Sequence, residues 1–192
     1  MVRMNAVSPT APARERLLRA ARDVFYREGV HAVGVDRIIE TAGVTRATFY
    51  RHFPSKESLV VTYLQALDTA VRERVGEVPA DAEGAARWLR DFTWGIADGI
   101  GEPQFRGCPY INAAAEYPSA EHPVRVAIAV HREWLEAGVR TALSRSGHPD
   151  PAEGARRWLA QRDGAMIAAY LNNAEVAART LMAAVDDLVG VG

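Results

Sequence analysis

The stretch Val35–Lys56, VDRIIETAGVTRATFYRHFPSK, reads as two short helices hinged at Ala42-Gly43-Val44. Gly43 stands where the chain must turn sharply, and glycine takes a positive φ with no Cβ penalty. Thr45 follows as a side-chain N-cap, so the second helix opens with free N–H groups and a positive dipole end suited to phosphate. Pro54 ends that helix, because the residue before a proline is pushed out of the α region. Ile38, Ile39 and Ala42 form the inward face of the first helix; Val44, Phe49 and Phe53 form that of the second. The rest of the second helix is largely polar, with Thr45, Arg46, Thr48, Tyr50, Arg51 and His52. So short a helix with so much hydrogen-bonding chemistry points to contact with another molecule, and DNA is the candidate. A helix-turn-helix lays its second helix in the major groove, where N-terminal side chains reach base edges. Arg46 can donate two hydrogen bonds to guanine, and Thr48 suits a base edge or a thymine methyl. Tyr50, Arg51, His52 and Lys56 then lie toward the DNA backbone. The competing reading is an ordinary helical corner with a solvated polar face, which spacing alone does not dismiss.

The charge distribution agrees with an anionic partner at one end. Net charge is −1 over 192 residues, but residues 1–60 hold ten Lys and Arg against six Asp and Glu. The remaining residues hold thirteen against eighteen, a basic head on an acidic body. The single cysteine, Cys108, excludes an internal disulfide framework and a multi-cysteine zinc cluster. No apolar run reaches the ~18–20 residues of a membrane span, and residues 1–12 lack the apolar core of a secretory signal. The expectation is a soluble, cytoplasmic protein with no membrane partner.

Outward from the central stretch, the pattern is helical throughout. Met1–Pro12 is polar and proline-punctuated, and reads as a mobile arm. Leu17, Leu18, Ala21, Val24 and Phe25 mark an amphipathic helix over 13–28, stopped by Gly29. Ser55 caps a helix running to about Gly76, lined by Leu59, Val60, Tyr63, Leu64, Leu67 and Val71. Further helices are predicted over 81–100, 110–116, 119–146, 151–171 and 174–189. That over 119–146 carries Val124, Ile128, His131, Leu135 and Val139 on one face, and Val126, Val130 and Trp134 on a second. Such a helix is expected to be buried on both sides. The last two are rich in small residues, which suits a close helix-pair interface. No segment alternates convincingly with period two, so the chain is predicted all-α with about nine helices.

Residues 14–64 resemble the DNA-binding domain of the tetracycline-repressor (TetR) family of bacterial regulators. The resemblance rests on Ala20-Ala21, Phe25, Gly29, Ile38, Ala42-Gly43-Val44, Thr48-Phe49-Tyr50, His52-Phe53 and Ser55-Lys56-Glu57 before Leu59. It implies DNA-backbone contacts from Thr45, Tyr50, His52 and Lys56, bases faced by Arg46 and Ala47, and a packing role for Phe49. Where the family usually has an early threonine or serine, this chain has Gly34-Val35. The rest of the chain resembles the family's ligand-binding and dimerisation domain in helix count and order. This implies a helix-turn-helix domain over 13–55, after the arm at 1–12, and a helical domain over 56–192 that holds a small molecule and dimerises through the last two helices.

Seven aromatic residues crowd the middle of the chain: Trp88, Phe92, Trp94, Phe105, Tyr110, Tyr117 and Trp134. Ligand sites are largely apolar with a few orienting polar groups. The candidate pocket is therefore Trp88, Phe92, Phe105, Cys108, Tyr110, Asn112, Glu116, His131 and Trp134, set against core packing for any single ring. No metal-ligand spacing, phosphate loop or nucleophile elbow is present, so no catalytic residue, metal or cofactor is assigned. The expectation is a homodimeric regulator, most simply a repressor, that binds a palindromic operator on double-stranded DNA and is released by a small molecule. The alternatives are a Cys108-based redox or electrophile sensor on the same scaffold, and a helical small-molecule binding module that does not bind DNA.

Overall fold

A computed structural model of the chain describes residues 11–190; the arm expected over 1–12 lies almost wholly outside them. Among the described residues there are nine helices and no strand. None of the helices is long and apolar enough to cross a membrane. The helices are α1 (Ala13–Glu28), α2 (Val35–Ala42), α3 (Arg46–His52), α4 (Lys56–Val75), α5 (Ala82–Ile100), α6 (Pro109–Glu116), α7 (Pro123–Arg145), α8 (Pro151–Leu171) and α9 (Ala174–Val189). α7 starts four residues later than its periodicity predicts, because Pro123 fits the first turn of a helix but pushes His122 out of helical geometry.

The chain forms two compact units, one of the described residues up to Ala70 with Pro109–Ile128, the other of Val71–Cys108 with the described residues from Ala129 onward. The expected division at 55/56 followed function; packing instead gathers the first part of α4, α6 and the start of α7 with the N-terminal helices.

In the first unit α1 buries Leu17, Ala20, Ala21, Val24 and Phe25, and α2 packs against it. The Phe25 ring meets Tyr63 of α4 edge-on at 5.8 Å. From α6, the buried Tyr110 hydroxyl donates to the Leu64 carbonyl at 3.1 Å. α4 opens with a reciprocal cap: the Ser58 N–H donates to Ser55 Oγ, and the Ser55 N–H donates to Ser58 Oγ.

In the second unit α9 packs against both α5 and α8. Asp81, Asp150 and Asn173 cap α5, α8 and α9 through their side chains. The core is built on Trp158, fully buried, whose Nε1–H donates to Thr93 Oγ1 at 2.9 Å. Its ring stacks on Phe92 at 5.5 Å. Leu89, Val139, Leu143 and Val185 pack into the same cluster. The expectation that α7 is buried on both faces does not hold. Val124, Ile128, His131, Leu135 and Val139 are buried, but Val126 and Val130 on the second face are half exposed within the single chain.

Candidate nucleic-acid interface and ligand cleft

The turn between α2 and α3 is built by local chemistry. Gly43 sits in the left-handed region at φ +61°. Its N–H donates to the Glu40 carbonyl and that of Val44 to the Ile39 carbonyl, the paired bonds that close a helix through a left-handed glycine. Thr45 then caps α3, its Oγ1 accepting from the Thr48 N–H at 3.2 Å. The cap and Thr48 are also joined hydroxyl to hydroxyl at 2.9 Å. Phe49 is fully buried and anchors this seven-residue helix. Thr45, Arg46, Ala47, Tyr50 and Arg51 are exposed, and Thr48 and His52 are half-buried. Arg46 is paired with Asp36 of α2, both side chains being exposed. Thr45→Ala is expected to destabilise the start of α3 by about 1 kcal/mol, read as a shift in the denaturation midpoint.

Lys56 has a different environment from that of the α3 side chains. Its Nζ donates to the carbonyls of Val30 (3.1 Å) and Val33 (3.2 Å), inside the turn that joins α1 to α2. Glu116 meets the same turn, its carboxylate accepting from the Val30 N–H at 2.9 Å and from the His31 N–H. Next to it, burial first, then the charges of Glu57 and Glu116, push the Tyr117 phenol up.

The candidate pocket residues divide. Trp88, Phe92 and Trp134 line one cleft of about 280 Å³ in the second unit, with Leu135, Gly138, Thr141 and Arg145 among its other walls. That volume is at the small end for a ligand site. Gly138 makes room for the Trp88 ring, because a Cβ there would lie 3.3 Å from its tip. The Trp88 Nε1–H donates to the Val75 carbonyl, and Arg72 lies over the Trp134 ring at 4.9 Å. The other candidates do not line this cleft. Phe105 packs beside the Ile100 cluster, and His131 is buried with its ring 6.0 Å from Trp134. Cys108 is 2% exposed and takes a hydrogen bond from buried Arg162 at 3.4 Å. Tyr110, Asn112 and Glu116 belong to the other unit. Periodicity placed all of these but Phe105 and Cys108 on helices, and carried no information about which helices would face one cleft.

The geometry agrees with known proteins. Residues 17–62 match the family model for bacterial regulatory proteins of the tetR family. A TetR-family transcriptional regulator of Streptomyces coelicolor is 41% identical, with a TM-score of 0.84, over 93% of this chain and 94% of that one. This chain belongs to the TetR family of transcriptional regulators. It is a DNA-binding protein of a family of regulators, not of enzymes. LmrA, a transcriptional regulator of Bacillus subtilis, is 27% identical over 64% of the chain, and the transcriptional activator FasR of Mycolicibacterium smegmatis is 44% identical over 30%. The matches span 66% of the length of LmrA and 26% of that of FasR. The reduced form of Escherichia coli NemR shares the fold at 22% identity and a TM-score of 0.79, over 92% of this chain and 97% of that one.

In this TetR-family chain the DNA-binding head was legible from the sequence, but Arg145 and Gly138 of the cleft were not. Arg145 is held by the carbonyls of Val78 and Pro79, more than sixty residues away in sequence. Gly138 is a lone glycine inside a helical pattern, and that was the available signal, since such a glycine costs helix stability and asks for a packing reason.

Proposed function

We propose that the protein is a ligand-responsive repressor that binds a palindromic operator as a homodimer and is released by a small molecule held among Trp88, Phe92 and Trp134. The observation that carries this reading is the exposed polar face of α3, too short to be stable alone and anchored by fully buried Phe49. Thr45, Arg46, Ala47, Thr48, Tyr50, Arg51 and His52 form the DNA face, with Arg46 and Ala47 toward the bases.

A dimer through α8 and α9 is supported by apolar and small residues left uncovered in the single chain. Ala160, Gly164, Ile167 and Leu171 are exposed along one side of α8, Leu171 at 68%. Val176, Thr180 and Ala183 do the same on α9. The four-three-four spacing is that of a helix seam, and a two-fold axis through it repeats the head for the two halves of a palindrome. A ligand that favours the conformer with wrongly spaced heads needs a differential affinity of only a few kcal/mol to release DNA.

Selection of bound duplexes from random DNA tests the reading. Inverted repeats should be enriched, with an affinity that falls steeply as salt rises. Enrichment of single half-sites removes the dimeric docking, and no enrichment leaves the helical binding module. FasR is an activator by name, so a reporter carrying the selected site fixes the sign of regulation. The Cys108 alternative asks an oxidant to reach a buried, hydrogen-bonded thiol, and is the weaker reading.

A further inference from the structure

We infer that Glu116 is a positioning residue for DNA binding: its carboxylate, with the Lys56 ammonium, fixes the α1–α2 turn and thereby the entry of the chain into the helix-turn-helix. The inference rests on the docking of α3 described above and assigns it a control point.

The turn runs from Gly29 to Gly34, and two charged side chains take four of its backbone groups. The donors go to Glu116, whose Oε1 accepts from Val30 and Oε2 from His31. The acceptors go to Lys56, whose Nζ donates to Val30 and Val33. Neither holder comes from α1, α2 or α3: Glu116 is the last residue of α6 and Lys56 the first of α4.

Gly29 makes the arrangement possible. At φ +92° and ψ +154° it occupies a region open in practice to glycine alone. The two N–H groups that follow it converge on one anion, as successive amides in a turn can. A Cβ at Gly29 would stand 3.5 Å from Glu116 Oε1, so the carboxylate is seated directly against the glycine. The His31 ring nitrogen is 3.8 Å from the other oxygen.

The turn is also held by its own buried side chains, Val30 and Val33, and by the exposed Glu28–Arg37 ion pair that joins the end of α1 to α2. α2 begins at Val35, and its N-cap, Gly34, makes no side-chain capping hydrogen bond. With no side-chain cap at Gly34, the polar backbone groups of Val30, His31 and Val33 are held by the two long-range charged groups, whose hydrogen bonds are stronger than neutral ones.

A positioning residue and a phosphate contact respond differently to salt. Loss of a phosphate contact flattens the dependence of log affinity on log salt by about one unit per contact. Loss of positioning lowers the equilibrium population of the binding-competent conformer, which saturating duplex still draws over in full, and leaves the slope alone; a fall to about a tenth raises the apparent Kd about ten-fold.

The test uses the full chain and a fluorescein-labelled duplex recovered by the selection above, with anisotropy read from ~50 to ~200 mM salt. Glu116→Ala is expected to bind about ten-fold more weakly at every salt concentration with the wild-type slope. Glu116→Gln keeps one acceptor but turns an amide NH2 toward the second donor, and should fall between. Stoichiometric titration should count the same active fraction in all three proteins. Hydrogen exchange over residues 29–34 should quicken in Glu116→Ala while the centres of α1 and α4 keep their protection. Lys56→Ala should also weaken binding at constant slope; a slope flattened by about one unit makes Lys56 a phosphate contact and overturns its share. Wild-type affinity in Glu116→Ala, or weakening accounted for wholly by a smaller active fraction, overturns the inference. A wild-type chain that selects no duplex overturns the docking reading and this inference with it.

Discussion

Phe49→Ala should abolish specific duplex binding, although Phe49 itself is fully buried. Its ring meets Tyr50 at 5.1 Å and Phe53 at 6.2 Å. Truncating a buried phenylalanine costs about 3–5 kcal/mol, a large share of the ~5–15 kcal/mol that holds a whole domain. α3 has seven residues, and helices so short do not persist without tertiary anchoring. The expected results are a lower denaturation midpoint and loss of anisotropy change on the selected duplex. Tyr50→Ala is the comparison, because that residue is 47% exposed. It loses about 1 kcal/mol of stability at most, from the edge contact on Phe49, yet should still weaken duplex binding. If Phe49→Ala binds like the parent protein, something else anchors the recognition helix.

Trp158→Ala should produce the corresponding loss in the second unit. Trp158 is the largest fully buried side chain, stacked on Phe92 and hydrogen-bonded to Thr93. The expected cost is about 3–5 kcal/mol, a fall in Tm of roughly 6–20 °C for a chain of this size. Trp158→Phe separates ring from hydrogen bond. Thr93 Oγ1 still donates to the Leu89 carbonyl at 2.7 Å, so no donor is orphaned. That variant should lose roughly 1–2 kcal/mol, from the missing hydrogen bond and the smaller ring. Equal losses in the two variants would show that the indole N–H, not the ring, carries the stabilisation. Because Phe92 also lines the cleft, Trp158→Ala should loosen that wall as well.

The aromatic residues mark where sequence reading ran out. Trp88, Phe92 and Trp134 meet at one cleft, whereas Tyr110 is used as a hydrogen-bond donor to Leu64 in the other unit. Both uses need a large ring at helical spacing, so periodicity cannot separate them. Trp158 sits in an unremarkable alanine-rich helix, and nothing local distinguishes it from a surface tryptophan. Glu116 followed a run of three alanines and read as a pocket acid; its partners, Val30 and His31, lie 86 and 85 residues away.

The sequence by itself determined the hinge at Gly43, the Thr45 cap, the stop at Pro54 and the restart at Ser55. Each is a contact between residues within five positions, decided by backbone sterics and side-chain reach. Only the tertiary structure decided that Lys56 and Glu116 grip the α1–α2 turn and that three of the aromatics share a cleft. Those contacts require helices distant in sequence to pack first, and no local propensity encodes which charged side chain will arrive at which turn.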